Sequence, residues 1–403
     1  MPTEDDPHLH LLAGRFRWIT RIAAPDAPGF VFFGGEVHAT DFGLTGYEAA
    51  ASLSGKGMSA SDAFRGCVGE GVEHLSRLEW GNERFSRGTF QTADHGLDEK
   101  SVYEIARLAG YEPDRETPEL DWMQGLRLSD GKPVLLPASI CIRRPNHRQV
   151  VAIPSAVSTG CAAGSTLEAA TLSALLELIE RDAVALWWMG GRRGGALGLN
   201  TLARAQTGGL LHYLREENSS RITWLLNLTS DVEIPCVAAL SASVEGRGFA
   251  CGTAARLDVK AAIKAAMLEL CQSELGHHLA AAKRKVRGDP ALNEADRRKL
   301  ERGHNLDARS YDLLYPAGFP EDILTTKPGE ASDGIRIILE QLQRIQVEPL
   351  LVDLTRSDLH LPAVRVVAPG LQPFPSSLTT DRLKRVMTHP GSRAAKPVGM
   401  PLY

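Results

Sequence analysis

Three segments of this chain carry one short pattern: a small residue, glutamate four positions later, and glutamate or glutamine three positions after that. It occurs as Gly66, Glu70, Glu73, as Ser173, Glu177, Glu180, and as Ala265, Glu269, Gln272. At 3.6 residues per turn, spacings of four and three place each set on one helical face. The fold therefore has to accommodate three helices, each presenting a pair of side-chain oxygens beside a gap.

The second of these helices does not read as a solvated surface. Leu172, Leu175, Leu176, Ile179 and Ala183 form one apolar stripe, and the remaining face carries Ala170, Ser173, Ala174 and Val184 around Glu177, Glu180 and Arg181. A helix apolar on most sides is buried, and a buried carboxylate has to be paired or bound to a metal. Arg181 can pair one. Carboxylate oxygens are hard ligands suited to magnesium, which takes one or two of them alongside substrate phosphates and retained waters. Pairs from several helices would hold more than one ion against a triphosphate. The alternative is that three ordinary helices share this spacing by coincidence, and periodicity alone leaves both standing.

Around these segments the chain reads as α/β or α+β. Short β-favouring runs at Phe30 to Phe33, Val150 to Ile153, Ile222 to Leu226 and Leu350 to Leu354 alternate with helical patterns beginning near Ser61, Ser165, Ala261 and Gly334. The polar stretch Gly288 to Asp307 and the Pro-punctuated Tyr315 to Pro328 read as surface excursions. We divide the chain into an N-terminal segment (1–50), a catalytic body (51–387) and a Pro-containing, extended tail (388–403).

A net charge of −4 gives no global positive field for nucleic acid or an anionic membrane. The basic runs Arg192-Arg193 and Lys283 to Arg287 are short enough to be solvated faces. Six cysteines without a CxxC pair, four of them among aliphatic residues, read as buried thiols of a reducing cytoplasm. No apolar run approaches the length of a membrane span. Ser54-Gly55-Lys56-Gly57 is not a Walker loop, since Ala50 and Gly57 stand where Gly and Ser or Thr are needed. His277-His278 reads as structural or exposed, near the end of a helical segment.

Ser165 to Ala183, STLEAATLSALLELIERDA, resembles the signature helix of the YcaO family, with its Glu-x-x-Glu-Arg core after a Gly-rich turn. Gly55 to Ser76 and Asp258 to Gln272 are similar to that family's earlier and later motifs. The resemblance implies a YcaO-like fold of mixed sheets with glutamate-bearing helices lining an ATP cleft. It implies Glu70, Glu73, Glu177 and Glu180 as magnesium ligands, Arg181 as a phosphate or carboxylate partner, and Glu269, Gln272 and Ser165 as further nucleotide-site members. Gly66, His74 and Ala265 depart from the residues usual in those motifs, and His74 in place of arginine implies a pH-dependent contact, with Lys264 one residue from the missing third-motif arginine.

Members of that family use ATP and Mg2+ to activate a peptide amide, and the resemblance to their stand-alone maturation components implies cyclodehydration of Cys, Ser or Thr to azolines in a ribosomally synthesised precursor peptide. It also implies an E1-like, leader-binding partner, an azoline dehydrogenase where oxidation follows, and compatibility with a homodimer. Thioamidation with a sulfur-delivering partner, and a non-catalytic scaffold subunit, are the competing expectations.

Overall fold

The computed structural model describes residues 7–47, 49–112, 115–148, 158–216, 220–323, 329–389 and Leu402. Within them three sheets alternate with helices. The first sheet is an antiparallel meander of β1 (Trp18–Ile22), β2 (Val31–Val37) and β3 (Ala51–Gly57). The second contains β4 (Ser86–Gly88), β5 (Leu120–Arg127), β6 (Pro133–Pro137), β7 (Cys161–Ala163), β13 (Leu350–Asp353) and β14 (Ala363–Val367). The third runs in the order β11 (Ala250–Ala255), β10 (Cys236–Ala242), β9 (Ile222–Asn227), β8 (Gly195–Leu197), β12 (Ala317–Glu321).

The repeated motif falls on α2 (Ala60–Ser76), α5 (Leu167–Trp188) and α8 (Val259–Arg287). Each starts where a side-chain oxygen satisfies an orphan amide of the first turn: Ser59 accepts from Asp62 N, Thr166 from Ala169 N, and Asp258 from Lys260 N. The other helices are α1 (Pro7–Ala13), α3 (Glu99–Leu108), α4 (Ala138–Cys141), α6 (Leu199–Arg204), α7 (Thr207–Arg215), α9 (Glu294–Asn305), α10 (Ala331–Arg344) and α11 (Asp381–Thr388).

α5 is the central element. It packs against β14 and β7 of the second sheet, β11 of the third, and α10. Leu175, Ile179, Ala183 and Trp187 are at most 1% exposed, as the apolar stripe requires. The third sheet is covered on both faces, so β10 and β11 are buried at every position rather than alternating. Cys236, Ala238 and Leu240 point to the cluster around α5, whereas Val237, Ala239, Ala250 and Ala254 pack with Ile263, Ala266 and Leu270 of α8. α2 lies over β3 and β2 and also reaches β7 and β14. The motif helices thus converge around the edges of three sheets.

Two glycines set how closely they do so. A Cβ on Gly55 would stand 1.8 Å from Ala63 O and 2.3 Å from Cys67 N, and one on Gly252 would stand 2.1 Å from Leu270 N. Only a residue without a side chain lets β3 meet α2, and β11 meet α8, at this distance.

The stretch Gly288 to Asp307 is exposed or half-buried at most positions, as a surface excursion should be, and it contains α9, started by a reciprocal capping box between Asn293 and Asp296. Tyr315 to Pro328 contains β12, which pairs in parallel with β8 at the sheet edge, where Pro320 is tolerated. His277-His278 lies inside α8, which continues to Arg287. Thr388 ends α11 rather than opening an extended tail, and most of that tail lies outside the described residues, as does the run Val150 to Ile153. All six cysteines are buried. No described helix is long and apolar enough to cross a membrane.

Candidate functional site

Five of the six motif carboxylates and amides are joined by a chain of polar contacts. Glu70 of α2 accepts from Ser54 through Oε2, at 2.6 Å from the backbone N and 2.8 Å from Oγ. Ser54 Oγ in turn accepts from Gln272 Nε2 of α8 at 3.1 Å. Lys56, two residues along the same strand, donates to Glu269 Oε1 at 2.7 Å and Gln272 Oε1 at 3.1 Å. Alternation along a strand places Ser54 and Lys56 on one face, so β3 joins the first motif to the third.

β11 joins the third motif to the second. Thr253 N donates to Glu269 Oε2 at 3.3 Å, while Thr253 Oγ1 donates to Glu180 Oε1 at 2.7 Å. On α5, Arg181 stands 3.9 Å from Glu180 and 3.6 Å from Glu177. Glu177 Oε2 also accepts from Gly160 N at 3.0 Å, at the turn leading into β7. The charges of Glu177 and Glu70 both act on Glu73, the sixth motif side chain.

Burial, reinforced by the negative charges of Glu177 and Glu70, raises the Glu73 carboxyl well above its ordinary value despite the opposing guanidinium of Arg77. Glu180 is pushed up to about 7 by burial, with Glu269 adding to the rise and Arg181 opposing it. Burial also raises Glu70, against its hydrogen bonds from Ser54. Burial acts on Glu269 in the same sense, but Lys56 and Arg181 outweigh it and leave Glu269 below its ordinary value.

Carboxylates that face one another in a partly dehydrated cleft are stabilised by a cation, and their hard oxygens fit a divalent ion such as Mg2+. Among the described residues no three or more His, Cys, Asp or Glu side chains are gathered as a finished metal cage.

Other sequence candidates lie differently. Ser165 is exposed and sits before the first turn of α5, twelve residues from Glu177, so it is not gathered with the glutamates. His74 is a correction: burial, with Arg77 and Arg143 nearby, drives its pKa down to about 3. Its Nδ1 accepts from Arg77 Nη2 at 2.9 Å, so it is a fixed neutral acceptor rather than a pH-dependent contact. Gly66 is exposed with nothing closer than 3.5 Å to a built Cβ, and Ala265 is partly buried. Sequence reasoning missed Ser54, Lys56 and Thr253. The first two were visible as Ser-x-Lys just before α2 but failed the phosphate-loop template, and Thr253 carried no signal.

A family model for YcaO cyclodehydratases, ATP- and Mg2+-binding, matches residues 54–372. The chain belongs to the YcaO family. Binding of ATP and Mg2+ is the property that describes this family. An uncharacterised protein of Methanothermobacter thermautotrophicus is 27% identical over 356 residues, covering 85% of this chain and 86% of that relative. A heterocyclase solved in complex with substrate and cofactor superposes with a TM-score of 0.71 at 24% identity, covering 89% of this chain and 50% of that one. YcaO from Methanopyrus kandleri, bound with AMPPCP and Mg2+, gives 0.65 at 20% identity over 91% of this chain and 89% of that one. At these identities the solved structures establish the YcaO fold, and this chain spans half the length of the heterocyclase it matches.

Proposed function

We propose that this YcaO protein uses MgATP to activate backbone amides of a ribosomally synthesised peptide, and that the product is an azoline formed by cyclodehydration at Cys, Ser or Thr. The observation that carries the reading is the group of Glu70, Glu73, Glu177, Glu180 and Glu269, in which burial and like charge leave Glu73 and Glu180 poised for a cation. Glu70, Glu73, Glu177 and Glu180 are the proposed magnesium ligands. Arg181, Glu269 and Gln272 complete the nucleotide cleft.

Bound MgATP supplies the phosphoryl group that turns the amide oxygen into a leaving group once a nucleophile has added to the carbonyl carbon. The chain's own part is positional and electrostatic. The glutamates act as ligands, not nucleophiles. Arg181 is held by Glu177 and Glu180 at the boundary between the carboxylates and a cleft of about 40 Å3 whose walls include Ile140, Leu178, Val367 and Leu371. A guanidinium there would stabilise negative charge on the transferred group. In keeping with the resemblance to maturation components that act with partners, we assign leader recognition to an E1-like partner, with an azoline dehydrogenase acting afterwards where azoles are made.

The test is phosphate release from MgATP by the purified protein with a Cys-, Ser- and Thr-rich precursor peptide and its genomic-neighbour proteins, followed by mass analysis. Peptide-dependent release with loss of one water per modified residue is expected. Replacement of oxygen by sulfur with a sulfide requirement would convert the assignment to thioamidation. Absence of both release and nucleotide binding in every combination would overturn the catalytic reading in favour of a scaffold.

A further inference from the structure

Lys56 is the cation that ties the third motif to the rest of the cleft. Its ammonium reaches Oε1 of both Glu269 and Gln272, the two motif positions of α8. Its strand is fixed on either side: Ser54 holds Glu70 and Gln272, and Gly55 lies flat against α2. The Lys56 and Glu269 side chains nevertheless keep 30% and 28% exposure, so the pair faces the cleft rather than the core. Arg181 and Arg256 also act on Glu269, but the hydrogen-bonded cation is Lys56.

A divalent ion held at Glu180, which shares Thr253 with Glu269, repels the Lys56 ammonium, so metal binding and the Lys56–Glu269 pair oppose each other. A lysine released from that carboxylate needs a new anion, and its flexible four-carbon stem lets the charge move while the strand stays in place. Resting on the reading of this cleft as a MgATP site, we propose that Lys56 is an exchangeable internal counter-ion. It neutralises Glu269 in the metal-free protein and transfers to the polyphosphate when Mg2+ arrives with nucleotide. Metal alone then has to displace Lys56 into water, whereas metal with nucleotide provides its replacement partner. Lys56 thereby couples the two ligands, and a coupling free energy acts reciprocally on both affinities.

The test compares wild type with Lys56→Met, and with Lys56→Gln as a second neutral variant, each first shown to melt cooperatively. Mn2+ binding without nucleotide and AMPPCP binding at saturating Mg2+ are measured by calorimetry. The neutral variants are expected to bind Mn2+ alone about fivefold or more tightly, yet to bind the Mg2+ complex of AMPPCP about tenfold more weakly, which are opposite changes. Lys56→Arg, which keeps the charge, should retain wild-type weakness toward metal alone. If the neutral variants weaken both ligands together, or leave AMPPCP binding intact, the exchange does not occur and Lys56 is only a structural tie. If the wild type takes no AMPPCP with Mg2+, the reading of the cleft itself fails, which is a separate result.

Discussion

Glu180 and Asp182 lie two residues apart on α5, are almost equally buried and are both raised by that burial, yet they have different partners. Asp182 accepts from Arg382 Nε at 2.8 and 2.9 Å and from Gln372 N at 2.9 Å, and Arg382 continues to Asp231. Glu180 has one hydroxyl at 2.7 Å, a guanidinium at 3.9 Å, and the like charge of Glu269. The same contrast recurs on α8. Glu274 is enclosed by Arg215 at 2.6 and 2.8 Å and Arg221 at 3.0 Å, whereas Glu269, five residues earlier, has the movable Lys56. Carboxylates that hold the fold together are matched with arginines from other elements. Those facing the cleft are crowded with one another, as groups awaiting an external cation should be.

Breaking the structural side of the contrast should have the largest effect. Arg382→Ala strips a buried Asp182 of its guanidinium, and the expected loss is about 3–5 kcal/mol of unfolding free energy in denaturant titrations. A loss under about 1 kcal/mol would mean that α11 does not secure α5. On the other side, Glu177→Gln should lower MgATP-dependent phosphate release by about 100-fold or more. Its unfolding free energy should stay within about 1 kcal/mol of wild type, since the nearby Arg181 guanidinium is 3.6 Å away and only partly buried.

A pH experiment separates the cleft from the scaffold again. His277 has a buried Nε2 with no hydrogen-bond partner among the described residues, and burial with Arg302 and Arg221 nearby lowers its pKa from 6.5 to about 3. The unfolded chain binds a proton at His277 that the folded chain refuses, so its contribution is complete above pH 6.5 and is lost as pH falls toward 3. Replacing His277 by Phe should reduce the stability lost between pH 7 and 5 by about 2 kcal/mol, read from urea midpoints at each pH. An unchanged acid limb would show that His277 titrates normally. The smallest effect is expected for Glu180→Gln in the metal-free protein. Removing a charge opposed by Glu269 while retaining an acceptor for Thr253 should raise stability at pH 8 by about 1 kcal/mol or less. A large loss would place Glu180 with Asp182 among the paired carboxylates.

The parts of this arrangement that were legible in the sequence are those written locally. Ser59, Thr166 and Asp258 mark helix starts, and the spacing of Glu70 with Glu73 and of Glu177 with Glu180 determines a face whatever the tertiary context. Lys56 and Thr253 were not legible because their role comes from strands brought beside helices 213 and 73 residues away in the chain. His74 was misjudged for a similar reason. Its place at a motif position usually held by arginine suggested a titrating contact, but the surrounding burial and the Arg77 guanidinium decide its charge. α9 and β12 were obscured by polarity and proline, since an exposed helix and an edge strand need little hydrophobic patterning to form.

The most direct measurement is calorimetric titration of AMPPCP into wild type and into the Glu177→Gln, Glu180→Gln double variant, each with and without Mg2+. The account predicts binding to the wild type that requires Mg2+ and is lost in a double variant that still unfolds cooperatively. Mg2+-independent binding, or a double variant that binds as tightly as wild type, would contradict the assignment of the crowded glutamates as the metal and nucleotide site.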